Sequence, residues 1–345
     1  MPKYLLSLAF ILIVGLNANA ADIIVQSGST SNAYETLSDA MDAARTGDFI
    51  YVPAGSYDVS DLYFDKGVHM VGAGYNPYDG DGETTVFSGS LKIYTGADGG
   101  SVQGIRMSGG MFFGTGSDDN TVSDFTITRC YIHGLYLAHC WNCIQSGTGF
   151  TITENIIAGA FHGGDAANTV FANNIVYQTS VTDRAITVCK NAIIENNIII
   201  TIDNITFNST VGCIVRNNIF PVGNMQITNS RNENHLINNL YCSTEDIVPY
   251  GYTMIEGNVR IDREDLFVDQ SGGSFEFSHD YHLTPTALGA ITGTDGAQVG
   301  IYGGPYPFKD GGAPINPQII EKRISTATNP EGHLKVEIRV KAQNK

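Results

Sequence analysis

The sequence predicts an all-β solenoid, a stack of short coils, and three observations carry that prediction. Six asparagines recur at one-coil spacing: Asn155, Asn174, Asn197, Asn218, Asn239 and Asn258, with steps of 19, 23, 21, 21 and 19 residues. Each sits in a near-identical phrase ("ITENII", "FANNIV", "IIENNII", "IVRNNIF", "LINNLY", "IEGNVR"), and self-similarity at such a period marks a repeat architecture. A side-chain amide both donates and accepts, so stacked asparagines satisfy one another as a ladder. Second, two apolar columns flank the ladder. Three residues before each slot stand Ile152, Phe171, Ile194, Val215, Leu236 and Ile255, and one residue after stand Ile156, Ile175, Ile198, Ile219, Leu240 and Val259. Stacked strands lie ~4.8 Å apart, so equal positions in successive coils touch, and both columns are predicted to face the interior. Third, the register reaches back one coil: "TITRCYI" aligns with "TITENII", which puts Ile127 and Tyr131 in the inner columns and Cys130 in the ladder slot. The competing fold is a β-sandwich with asparagine-rich turns, which would not keep one phrase in register over six coils.

Residues 1–20 read as a signal peptide rather than as part of the fold. Lys3 supplies the basic start, "YLLSLAFILIVGL" the apolar run, and "ANA" before Ala21 the small-residue cleavage pattern. The run is shorter than the ~20 apolar residues of a membrane span, and no later stretch is long enough. The expected product is therefore exported, to the periplasm, the cell surface or the medium, with no membrane span. "AYETLSDAMDAARTGD" is the one convincing helix, with Leu37, Ala40, Met41 and Ala44 on one face. An open solenoid end must be capped, and this helix precedes the strand "FIYVPAG". Between it and the ladder, "HMVGAGY" and "VQGIRMSGG" read as looser coils.

Six cysteines are present: Cys130, Cys140, Cys143, Cys189, Cys213 and Cys242. The Cys140/Cys143 pair has C-x-x-C spacing, but no second pair completes a zinc site, and buried small hydrophobes with one local disulfide is the reading that fits. The solenoid is assigned to residues 21–308 and a small C-terminal β module to 309–345. In the module, "LKVEIRVKA" alternates apolar and charged residues as a half-buried strand does, with "PQIIEKRIST" as its hairpin partner. Residues 309–345 hold seven of the 19 basic residues and four of the 35 acidic ones, leaving 12 and 31 before them, a net of −19. An acidic body of this kind argues against nucleic acid and disfavours an acidic polysaccharide unless cations or a local basic cleft mediate; carbohydrate as the partner of a long exported groove is an inference from the fold class.

The capping phrase, the "NNI" coils and the closing phrase "DYHLTPTALGAITGTDGAQVGIYGG" together resemble secreted right-handed parallel β-helix proteins of the pectate-lyase-like superfamily, over roughly residues 22–305. The resemblance implies a right-handed parallel β-helix ending in a terminal coil. It implies no single activity, because the group includes lyases, hydrolases, epimerases, adhesins and proteins without catalysis. The hydrolase series of that group is incomplete here: Asp118-Asp119 is followed by His133-Gly134 or His162-Gly163, but no R-x-K follows. Lyases of the group use an Arg or Lys base, often with calcium.

Coil register nominates the site. Ten residues past successive ladder slots stand Cys140, Asp165, Arg184 and Phe207, and nine past stand His139, Gly164, Asp183 and Thr206. Asp165 and Arg184 are expected on adjacent coils, with His139, Asp183 and His162 beside them and Lys190 following in the same coil. As a lyase, the chain would use Lys190 as base and Arg184 as anion clamp, since arginine keeps its proton. As a hydrolase it would use two carboxylates, Asp165 and Asp183. His162 completes the candidate catalytic set, and a surface ion pair between Asp165 and Arg184 is the structural alternative. Substrate contacts are expected from His139, Trp141 and Tyr177. Tyr177, Phe207, Phe220 and Tyr241 follow the ladder turn in separate coils, as a sugar-stacking stripe or an outer packing ridge would. Asp79, Asp81 and Glu83 alternate with glycines; such carboxylates wrap calcium, the candidate cofactor, and a plain acidic turn has the same composition. The expected function is engagement of polysaccharide in a shallow groove, as a lyase or a glycoside hydrolase, against the alternative of a non-catalytic carbohydrate-binding or surface-structural protein.

Overall fold

A computed structural model describes residues 22–78, 84–114, 121–138, 147–164, 166–178, 185–201, 206–222, 227–228, 233–244, 247, 253–270, 273–313 and 318–341. Its body is a parallel β-helix. Each regular coil gives one short strand to each of three sheets, which contain 12, 10 and 7 strands among the described residues. We call them first, second and third in the order the chain visits them. In one coil the first sheet takes Thr151–Thr153, the second Ile156–Ala158 and the third Phe161–His162.

The asparagine ladder forms at the corner between the first and second sheets. The Nδ2 of Asn155, Asn174, Asn197, Asn218 and Asn239 each donates to the Oδ1 of the next, at 3.0, 3.1, 2.8, 3.0 and 2.7 Å. Each Oδ1 also accepts the backbone N–H of the previous slot, as Asn197 does from Asn174 at 2.8 Å. Each amide therefore replaces backbone partners that the corner removes. Cys130 occupies the preceding slot as expected: its N–H donates to Asn155 Oδ1 at 2.9 Å, and its Sγ faces the Val102 carbonyl. The residue before each slot turns the corner in the left-handed region, at φ 56, 55, 57 and 49° for Asn173, Asn196, Asn217 and Asn238. Asparagine tolerates that conformation better than other non-glycine residues, which explains the doubled "NN".

The interior corrects half of the predicted core. The column Ile152, Phe171, Ile194, Val215 and Leu236 is in register and points inward; Ile255, at the last coil, is 39% exposed. The second column does not point inward. In the second sheet the interior is filled by Ile157, Val176, Ile199 and Phe220. Ile156, Ile175, Ile198, Ile219 and Leu240, one residue earlier, face outward, as does Tyr131. Successive strand residues alternate faces, and these strands are apolar on both.

Residues 261–313 cover that outer face. The closing phrase does not form a terminal coil, contrary to the expectation. Its first residues, Asp280–Leu283, pair instead with the preceding strand Phe267–Asp269, and the chain turns back along the second sheet through a short helix Pro285–Ala290. Leu266, Tyr281, Leu283, Val299 and Ile301 bury the outward column. The corner asparagines hold this return segment from the side. Asn238 Nδ2 donates to the Thr292 carbonyl, Asn217 pairs with Thr294, Asn196 donates to Gly300, and Asn173 to Ile301 and Gly303. Further along, Arg129 reaches the Ala313 carbonyl at 3.0 Å. The approach requires glycine: a Cβ on Gly303 would lie 1.8 Å from the Gln298 carbonyl and 2.8 Å from Asn196 Nδ2. Residues 309–313 thus continue the return segment.

The N-terminal helix spans Leu37–Ala43, capped by Thr36, whose hydroxyl accepts from Asp39 N–H. Leu37, Ala40, Met41 and Ala44 are buried on the first coils, and Lys66 Nζ donates to the Met41, Asp42 and Ala44 carbonyls that the helix end leaves unpaired. At the other end, Gln318–Thr328 and Leu334–Lys341 pair as an antiparallel hairpin. Its second strand is not half-buried as predicted: Leu334, Val336 and Ile338 are 48, 49 and 54% exposed. Cys130, Cys189 and Cys213 are buried thiols and Cys242 is half-buried; burial pushes the Cys130 thiol up to about 12 and that of Cys242 to about 11. Residues 1–20, Cys140 and Cys143 lie outside the described residues.

Candidate functional site: the outer face of the third sheet

Alternation builds the third sheet's outer face. In each strand one residue enters the core, as Leu91, Met111, Leu135, Phe161, Ile186 and Phe207 do. The next residue points out, giving a register-matched column of Lys92, Phe112, Tyr136, His162, Thr187 and Asn208. Lys92 is exposed and the other five are half-buried. Five steps at strand spacing make the column roughly 24 Å long. At its centre the rings stack: Phe112 on Tyr136 at 4.8 Å and 9°, Tyr136 on His162 at 6.0 Å and 28°. Stacked along the axis, these rings turn their faces to each other and their edges outward. The face therefore offers ring edges, a phenol, an imidazole, a hydroxyl and an amide in line, with an ammonium at one end.

Of the candidate catalytic residues, His162 lies on this face. Lys190 lies around the corner towards the first sheet, exposed, at a bridge to Val211; it does not share the face with His162. Asp165, Asp183, Arg184, His139 and Trp141 lie outside the described residues, as do Asp79, Asp81 and Glu83. The counting rule that grouped Asp165 with Arg184 does not hold along the stack. Phe161 pairs with Ile186 and Ile186 with Phe207, so third-sheet strands begin at different distances from the ladder. In sequence Asp165 follows its strand, whereas Arg184 precedes its own. Loop length between the second and third sheets varies from coil to coil, and a fixed offset cannot absorb that.

Tyr177 lies elsewhere, on the outer side of the second sheet. Its hydroxyl meets that of Tyr131 at 2.5 Å and its ring stacks on Phe275 of the return segment; burial, the Tyr131 contact second, pushes its phenol well up. It is a packing residue of that interface. The four-aromatic stripe does not form: Phe207 and Phe220 are buried inside the coil, edge to face at 5.9 Å. The ring column that does form was legible only as "MFF" and "LYL", where an aromatic residue alternates with buried neighbours. Among the described residues no group of three or more His, Cys, Asp or Glu is placed to hold a metal ion, and no helix is long and apolar enough to cross a membrane.

No protein-family model matches the chain, and searches of curated proteins and of solved structures return no match.

Proposed function

We propose that this chain is an exported parallel β-helix protein that binds polysaccharide along the outer face of the third sheet. The observation carrying the reading is the register-matched column Phe112, Tyr136, His162, Thr187 and Asn208. It is half-buried and mixed in chemistry where the matching face of the second sheet is apolar and covered. Binding sites combine apolar surface with a few placed polar groups, and a linear column suits a linear polymer. Support for export comes from residues 1–20, and support for carbohydrate from the resemblance to the pectate-lyase-like superfamily, which also implies a right-handed coil; the acidic charge favours a neutral polymer over an acidic one.

A catalytic reading has its own support. Asp165 follows Phe161–His162 in sequence, Asp183 and Arg184 precede Ile186–Thr187, and these two strands are neighbours. In a lyase Arg184 would clamp the anion and Lys190, a corner away from His162, would act as base. In a hydrolase Asp165 and Asp183 would share acid and base roles.

The test uses purified residues 21–345 on a panel of neutral and acidic polysaccharides, with and without calcium. Ultraviolet absorbance reads unsaturated lyase products, reducing ends read hydrolysis, and retention on immobilised polymer reads binding. Retention lost in Tyr136→Ala without product formation supports the binding reading. Products lost in Asp165→Asn or Arg184→Ala establish catalysis, and no retention on any polymer overturns both.

A further inference from the structure

The return segment encloses a second site of different chemistry. Between residues 275–311 and the outer side of the second sheet lies a cavity of about 270 Å³, floored by Ile156 and Ile175. Its wall is aromatic. Phe275 stacks on Tyr281 at 5.9 Å and 5° and meets Phe277 edge-on at 5.1 Å, and His282 stacks on Tyr302 at 4.0 Å. Three carboxylates, Glu276, Asp280 and Asp310, line it beside Asn76, His279 and His282, with no lysine or arginine among the lining residues. One carboxylate bonds Tyr302 and a second bonds the histidine stacked on it. Asp310 accepts the Tyr302 hydroxyl at 2.9 Å, and Asp280 accepts both the N–H of His282, at 2.9 Å, and an Nδ1 contact at 2.7 Å from the ring stacked on Tyr302. The His282 N–H and side chain hold the Asp280 carboxyl below the usual range, so it is ionised at neutral pH.

Carboxylates beside aromatic rings reject anions and favour cations. The same ring cluster already takes one cation: the Arg106 guanidinium sits 4.9 Å from the Tyr131 ring centre and 5.9 Å from that of Phe277. The volume lies just below the roughly 300–1,000 Å³ of ordinary ligand pockets, enough for one sugar ring but not a chain. A carboxylate has about four acceptor sites, so Asp280, beyond its contacts to His282, and Glu276 have capacity for ring hydroxyls as well as an ammonium.

We propose that this cavity binds a single protonated amino-sugar unit, with its ammonium between Asp280 and Asp310 and its C–H face against the aromatic wall. The proposal does not depend on the polysaccharide reading of the third sheet, which involves other residues on another sheet.

Calorimetry on residues 21–345 tests it with five probes: a glucosamine disaccharide, its N-acetylated form, cellobiose, a galacturonic acid disaccharide and choline. The expected result is saturable one-site binding of the glucosamine disaccharide, about tenfold or more tighter than any other probe, since one ionic contact of this kind is worth about 1.4 kcal/mol. An Asp280→Asn/Asp310→Asn double variant should lose that preference while keeping the melting temperature, because both residues lie at the rim. Tyr302→Phe keeps the ring and should weaken binding less. Tyr136→Ala, on the third sheet, should leave it unchanged. Equal affinity for cellobiose, choline binding as tightly as the amino sugar, unaltered binding in the double variant, or no binding at all would each overturn the proposal.

Discussion

The second and third sheets are made by the same coils, yet their outer faces have opposite fates. Outside the second sheet stand Ile156, Ile175, Ile198, Ile219 and Leu240, all buried under residues 261–313. Outside the third stand Phe112, Tyr136, His162, Thr187 and Asn208, all half-buried. A parallel strand apolar on both faces needs cover on both, and the chain spends some 50 residues supplying it. A strand that alternates apolar and polar residues needs cover on one side only. The difference teaches that in this solenoid an apolar outer column draws a covering segment from the chain itself, whereas the mixed column of the third sheet stays half-buried.

The ladder underlies both faces, and removing one rung should have the largest effect. Asn197 Oδ1 accepts from Asn174 N–H and Nδ2, while its Nδ2 donates to the Phe171 carbonyl and Asn218 Oδ1. Asn197→Ala would orphan several buried groups at ~1–3 kcal/mol each, so a loss of ~3–5 kcal/mol is expected in denaturant unfolding. Thr187→Ala, on the third sheet, should stay within about 0.5 kcal/mol. Comparable losses at the two positions would break the comparison.

The corner ion pair sharpens it with a pH dependence. Arg129 and Glu154 meet at 2.9 Å with side chains 2 and 9% exposed. Burial raises the Glu154 carboxyl above its ordinary 4.5, with Arg129 opposing. A raised acid holds its proton more tightly folded than unfolded, so its stability contribution is full below 4.5 and is lost as pH rises through the folded value. Arg129→Met removes the opposing charge and should cost ~3–5 kcal/mol at pH 7 and clearly less at pH 4, where Glu154 carries its own proton. A pH-independent loss would show that the pair's charge is irrelevant.

Cover itself is next. Leu283→Ala, at 7% exposure, should cost ~2–4 kcal/mol and make the return segment the first site of limited proteolysis. Phe112→Ala, half-buried on the other face, should cost less than ~1.5 kcal/mol and leave the protease pattern unchanged. The smallest thermodynamic change with a functional readout is expected for Tyr136→Ala and His162→Ala. Each should weaken polysaccharide retention about tenfold, near 1.4 kcal/mol, without moving the melting temperature by more than a few degrees.

Sequence reading recovered the ladder completely, down to Cys130 in its slot, because hydrogen-bonded asparagines at a strict corner leave an unmistakable phrase. It recovered the capping helix but not its bounds: the phrase read as helical runs over 33–48, whereas the helix is Leu37–Ala43 and Thr30–Tyr34 is a strand paired with Ile23–Ser27. It misassigned the column Ile156 to Leu240, because an apolar residue outside a strand looks like one inside until the covering segment is known. That segment was itself misread, since "TGTDGAQVGIYGG" is as glycine-rich as a coil turn. The site was the least legible. Third-sheet strands are two or three residues long and begin at varying distances from the ladder, so counting from Asn155 and Asn174 sets no register for Asp165 and Arg184, which lie outside the described residues. The ring column at Phe112, Tyr136 and His162 carries no repeated phrase at all.

Hydroxyl-radical footprinting of residues 21–345 with and without a retained polysaccharide tests the central claim most directly. Oxidation reads side-chain exposure ring by ring. Protection of Phe112, Tyr136 and His162, with unchanged oxidation of Tyr63 at the N-terminal end, exposed at 64%, is the predicted result. Unchanged oxidation of the three rings, with protection appearing on the hairpin or the return segment, would contradict it.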